Sequence, residues 1–123
     1  MIVRLQDLDP ITPSDVAAAL ERNDLAELRL MAVTVALSDL ELSLSQSICV
    51  RLCANPDSKV RGNALIGLGH LARRYRKLDE PIVKPLIVSG LQDIDVFIHE
   101  CAKSAADEIH QFLHWDIPGH VFG

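Results

Sequence analysis

Four histidines near the C-terminal end come closest to forming a chemical site. His110 and His114 stand at i, i+4, a spacing that lets two imidazoles on one helix face share a metal. His99-Glu100 adds a ligand pair one helical stretch earlier, and His120 follows in the tail. Against that stands a solvated helix face, where histidines close to a helix C-terminus gain from the dipole. The second reading is preferred, and no cofactor is expected. The three cysteines, Cys49, Cys53 and Cys101, lie among Ile48, Leu52 and Ala102 with no base or orienting acid in a local motif. They read as small buried thiols, reduced as in a cytoplasm, and an enzyme is not expected. Gly62, Gly67 and Gly69 lack the Gly-Lys-Ser/Thr of a phosphate loop and fall inside a helical pattern, so packing explains them better.

Charge narrows the possible partners. The net charge of −5 argues against nucleic acid, and the one basic cluster, Arg73, Arg74, Arg76 and Lys77, falls where a helix C-terminus would welcome it. The acidic residues are more suggestive. Asp39 and Glu41, Asp79 and Glu80, and Asp93 and Asp95 recur in successive turns between helical stretches. Solvated turns and N-caps account for most of them. An acidic rim on a small scaffold would also steer a basic partner.

The elements that must carry these residues are helices. The chain of 123 residues suits one domain, and its aromatic content of 4% leaves a core of Leu, Ile, Val and Ala, which favours an all-α fold over a sandwich. No apolar run is long enough to span a bilayer, and Met1 to Asp7 lacks the basic start and apolar stretch of a signal peptide. A soluble, cytoplasmic protein is expected. Thr12-Pro13-Ser14-Asp15 opens a first helix with a capping-box variant and runs to about Arg22. Asn23-Asp24 ends it and caps a second, apolar nearly all round and therefore expected to be buried between neighbours. Residues 40–54 alternate like a strand at first. Yet Leu40, Leu44, Ile48 and Leu52 form an i, i+4 stripe, and the longer pattern favours helix. Asn55-Pro56-Asp57 opens a fourth, whose inner face carries Val60, Ala64, Leu68, Leu71, Ala72 and Tyr75. Pro81 and Pro85 belong at the start of a fifth ending near Gly90, and a sixth runs from about Asp95 to His114, leaving a loose tail.

An internal repeat organises these helices. A shift of 38 residues lays Asn55-Pro56-Asp57 on Asp93-Ile94-Asp95, Val60-Arg61 on Ile98-His99, and Ala64 on Ala102. A shift of 32 lays Leu28-Arg29 and Ala32 on Val60-Arg61 and Ala64. Each unit is a helix, a polar turn and a second helix, and such pairs bury their apolar faces only by stacking. The string Asn55-Pro56-Asp57-x-x-Val60-Arg61-x-x-Ala64-x-x-x-Leu68-Gly69, with Pro85-Leu86-Ile87-x-x-x-Leu91-x-Asp93-x-Asp95, resembles the HEAT-repeat signature over roughly residues 14 to 110. The resemblance implies a short right-handed α-solenoid of about three helix pairs, roughly residues 14–38, 41–76 and 82–114, with a tail at 115–123. It makes Arg29, Asp57, Arg61 and Ala64 structural repeat positions. It also implies a scaffold for a macromolecular partner. HEAT-type hydroxylases carry several His-Glu pairs to hold two irons. Here there is one, and the matching position of the preceding unit reads Arg61-Gly62, which removes most of the case for a metal-dependent enzyme using His99, Glu100, His110 and His114. HEAT-like DNA glycosylases are longer and strongly basic. The remaining expectation is a protein-binding module without catalysis. Its sharpest form is an immunity protein that neutralises a basic, nuclease-like toxin through Asp39, Glu41, Asp79, Glu80, Asp93 and Asp95. An adaptor or assembly factor of a larger complex is the alternative.

Overall fold

The computed structural model describes residues 10–121, so the N-terminal stretch read above for a signal peptide lies outside the described residues. It contains six helices, α1 (Pro13–Arg22), α2 (Leu25–Ala36), α3 (Leu42–Leu52), α4 (Ser58–Tyr75), α5 (Glu80–Leu91) and α6 (Val96–Leu113), and no strand among the described residues. The boundaries follow from capping chemistry. Thr12 Oγ1 accepts the Asp15 N–H at 3.1 Å while the Asp15 carboxylate accepts the Thr12 N–H at 2.9 Å, the reciprocal pair that fixes the start of α1. Asn23 ends α1 in the left-handed conformation, and Asp24 caps α2 by accepting the Glu27 N–H. Glu27 does not close a second capping box. Its carboxylate is taken by Arg22 at 2.7 Å, which pins the α1–α2 turn.

The two polar turns related by the 38-residue shift have the same wiring. Asn55 Oδ1 accepts the Asp57 N–H at 2.9 Å, and Asp93 Oδ1 accepts the Asp95 N–H at 2.8 Å. Asp57 then caps α4 at the Val60 N–H, as Asp95 caps α6 at the Phe97 and Ile98 N–H groups. Arg61 reaches back to the carbonyls of Asn55 and Pro56, and His99, at the matching position, sets its Nδ1 2.9 Å from the Leu91 carbonyl oxygen.

Helix α4 packs between α2 on one side and α6 on the other; α3 lies against α2 and α4, α5 against α4 and α6, and α1 on α2. Two layers result, α2–α4–α6 and α1–α3–α5. Glycines permit the tight crossings of α4. A Cβ at Gly67 would lie 3.1 Å from the Ala32 carbonyl oxygen, and one at Gly69 would lie 3.1 Å from the Ala105 Cα. The core is aliphatic, with Leu28, Val35, Ile48, Val60, Ala64, Leu68, Leu71, Ile87, Ile98 and Ile109 buried. Arg29 ties the layer together at one end: its guanidinium grips the Asp57 carboxylate through two bonds of 3.0 and 2.9 Å. At the other end Arg74 donates to the last carbonyls of the α2 region, Ala36 and Ser38.

Several expectations need correction. Helix α2 is not covered all round: Leu30 is 67% exposed and Leu37 52%, because α2 is the edge of its layer and, among the described residues, only α1, α3 and α4 pack against it. Tyr75 sits at the rim of the core under the Arg74 guanidinium, 5.0 Å from its ring centre. Pro85 lies in the second turn of α5 rather than at its start. The segment after α6 is not loose as far as residue 121 is described. Trp115 and Ile117 are buried, Trp115 O lies 3.0 Å from His110 Nδ1, and His120 Nε2 lies 2.7 Å from Asp107 Oδ1.

Candidate functional site

The candidate metal ligands do not assemble as a set, although the His110 and His120 rings lie with centroids 5.8 Å apart. His99 and His110 lie three helical turns apart on α6, and at about 1.5 Å rise per residue they are too far apart for one ion. His99 and Glu100 approach only to 4.0 Å, with the opposite ring nitrogen of His99 engaged on the Leu91 carbonyl. His110 is turned to the Trp115 carbonyl, and His114 is the left-handed cap beyond the helix. Among the described residues no group of three or more His, Cys, Asp or Glu is placed to hold a metal.

Cys49 and Cys53 stand one turn apart at the end of α3, and Cys101 lies apart from them on α6. Burial pushes the thiols of Cys49 and Cys53 up to about 12 and raises that of Cys101 as well, the reverse of what a nucleophile needs. The basic cluster is largely committed to the fold. Arg73 pairs with Glu108 at 3.3 Å, Arg74 caps α2, and the Arg76 guanidinium lies over the Phe112 ring at 5.4 Å.

The six acidic positions divide between the two ends of the molecule. Because successive helices fold back on one another, the α2–α3 and α4–α5 turns share one end, and the α3–α4 and α5–α6 turns share the other. Asp39, Glu41, Asp79 and Glu80 therefore lie at the first end. Asp93 and Asp95 lie at the second, where each accepts backbone N–H groups through Oδ1 in the turn and cap. Fully exposed Ile94 stands between them.

At the first end the turns are joined by the Asp79 N–H, which donates to Gln46 Oε1 at 2.8 Å. Between them lies a groove of about 490 Å³ lined by Glu41, Leu42, Gln46, Lys77, Leu78 and Asp79. Its carboxylates differ from the other acidic N-caps. Asp24, Asp57 and Asp95 each accept a backbone N–H of the helix they open, whereas Glu41 of α3 and Asp79 of α5 make no side-chain cap bond. Glu41 instead accepts the Ser43 hydroxyl, and Glu80 pairs with Lys84 one turn on.

A second groove, of about 430 Å³, runs between α1 and α3 over Val16, Leu20, Leu44 and Ile48, with Glu21 and Arg51 also in its lining. Sequence reading passed over it. The signal was present in two i, i+4 apolar pairs, one on each helix, that face each other without meeting.

No protein-family model matches the chain, and no curated protein matches it. Among solved structures it is similar to a chain of the CDI complex from Cupriavidus taiwanensis LMG 19424. The TM-score is 0.72 at 18% identity, over 90% of this chain and 98% of that one. At that identity the likeness is one of fold.

Proposed function

We propose that this chain is an immunity protein, a binding module without catalysis that captures and neutralises a basic, nuclease-like toxin in the cytoplasm. In this reading the fold is a short right-handed HEAT-like α-solenoid, and its role is to hold the inter-helix turns rigid as a recognition edge. The observation that carries the proposal is the gathering of Asp39, Glu41, Asp79 and Glu80 at one end of the molecule, with the groove between two of them. Acidic groups fixed on a stable frame raise the encounter rate with a cationic surface and orient it on approach. The neighbour of similar fold comes from a CDI complex, which is compatible with an immunity role and supports a protein partner.

Rescue of growth tests the reading. A host expressing the toxin domain that this reading predicts as the partner is expected to survive when this chain is co-expressed. Survival should be lost when Asp39, Glu41, Asp79 and Glu80 are all replaced by Lys, in a variant whose melting curve matches the parent. Failure of the parent chain to rescue would overturn the reading. Rescue that is indifferent to the quadruple reversal would move the binding surface elsewhere.

A further inference from the structure

We propose that the outer face of α2 is a homodimer interface, on which the same face of a second copy of this chain packs antiparallel across a twofold axis. Helical periodicity defines the face. Leu28, Met31, Ala32, Val35 and Ala36 turn into the core, and on the opposite side Ala26, Leu30, Thr34 and Leu37 follow at steps of four, four and three. All four are exposed, both leucines by more than half. A terminal helix in a stacked array ordinarily closes it with a polar outer face, and α2 does not.

Two features select a second copy as the occupant. The first is charge. The stripe carries none, and the polar groups on and beside it have partners within the chain. Thr34 Oγ1 donates to the Leu30 carbonyl at 2.8 Å, Arg22 holds Glu27 at 2.7 Å, and Asn63 Nδ2 donates to the Arg29 carbonyl at 2.7 Å. Two copies of net charge −5 repel over most of their surfaces, and a charge-free face is where they can meet. The second is size. Small and large residues alternate along the stripe. An axis between Leu30 and Thr34 sets Leu30 opposite the partner's Thr34 and Leu37 opposite the partner's Ala26, and the twofold repeats both contacts. Large on small lets two helices approach to the 8–10 Å of a packed pair. A parallel pairing would set each leucine on its own mate. The stripe is only about 16 Å long, so the pair buries less than the roughly 1,200–2,000 Å² of a standard interface. The dimer is therefore weak, with a Kd of about 0.1 mM.

Sedimentation equilibrium of the full chain from about 10 µM to 1 mM tests this across the expected Kd. The mass should climb toward that of two chains, and added salt should tighten the dimer by screening the like net charges. Leu30→Arg and Thr34→Glu, both at exposed positions, should each melt with the parent and remain monomeric alone. Mixed in equal amounts they should associate again, because the antiparallel register sets the new cation opposite the new carboxylate. A parent monomeric throughout the range would overturn the proposal, as would a dimer that persists in Leu30→Arg. A mixture that stays monomeric would overturn it too. A monomeric Leu30→Arg with a lowered melting temperature would mean that the chain's own residues cover the face, and would equally overturn it.

Discussion

Asp57 shows how one side chain carries both local and long-range structure. The Arg29 guanidinium, followed by the Val60 N–H, holds its carboxyl at about 2, below the ordinary 3.8. The folded value is the lower of the two, so folding weakens proton binding at this site. The stability it contributes is complete above about pH 4 and is lost as pH falls toward 2. Urea midpoints measured across that window should fall more steeply for the parent than for Asp57→Asn, which keeps a good cap but not the ion pair. Parallel profiles would mean that Arg29 contributes nothing through charge. Ser45 makes the opposite case. It is buried, and its hydroxyl has no hydrogen-bond partner among the described residues. Ser45→Ala removes an unsatisfied polar group and improves helix propensity, so it should stabilise by about 1 kcal/mol in a denaturant titration. A clear loss of stability would show that the hydroxyl is satisfied.

At the scale of elements, helix crossings decide what each position tolerates. Ala64 is fully buried where layers meet, and Ala64→Leu should cost about 1–3 kcal/mol through overpacking, seen as a lowered melting temperature. Gly69→Ala weighs two effects against each other. Propensity favours Ala by about 1 kcal/mol in a helix interior. The new Cβ, however, would meet the backbone of α6 at Ala105, which cannot move aside as a flexible side chain can. Net destabilisation is expected. The segment after α6 gives a further outcome: Trp115→Ala should cost about 3 kcal/mol by emptying a buried site, while Pro118→Ala, exposed, should change little. Equal melts for Trp115→Ala and parent would show that the segment does not stabilise the helices.

All six helices and their turns were legible in the sequence because caps and periodicity are local signals. Thr12, Asp24, Asp57 and Asp95 each announce a start within four residues of the group they cap. What could not be read was tertiary. Apolar periodicity around α2 does not reveal that one side has no neighbour among the described residues, which leaves Leu30 exposed. Nothing local says that Trp115 and Ile117 fold back under α6. The candidate site was half legible. The acidic pairs stand out in sequence, but only the alternation of helix direction sorts them into two ends, and only hydrogen bonding separates Glu41 and Asp79 from the carboxylates spent on capping.

For the molecule as a whole, the account rests on one end of a rigid helical frame capturing a cationic protein. Other surfaces could supply the buried anchors that set the lifetime of such a complex, among them exposed Ile94 and the α1–α3 groove. Charge at the acidic end should act on encounter instead, and that separation is measurable. The direct measurement is the association rate with the proposed basic toxin partner at low and high salt, for the parent and for the quadruple replacement of Asp39, Glu41, Asp79 and Glu80 by Lys. The parent rate should fall by about tenfold or more as salt rises, with a smaller change in dissociation, and the variant should be slow at low salt. An association rate indifferent to both salt and charge reversal would contradict the account.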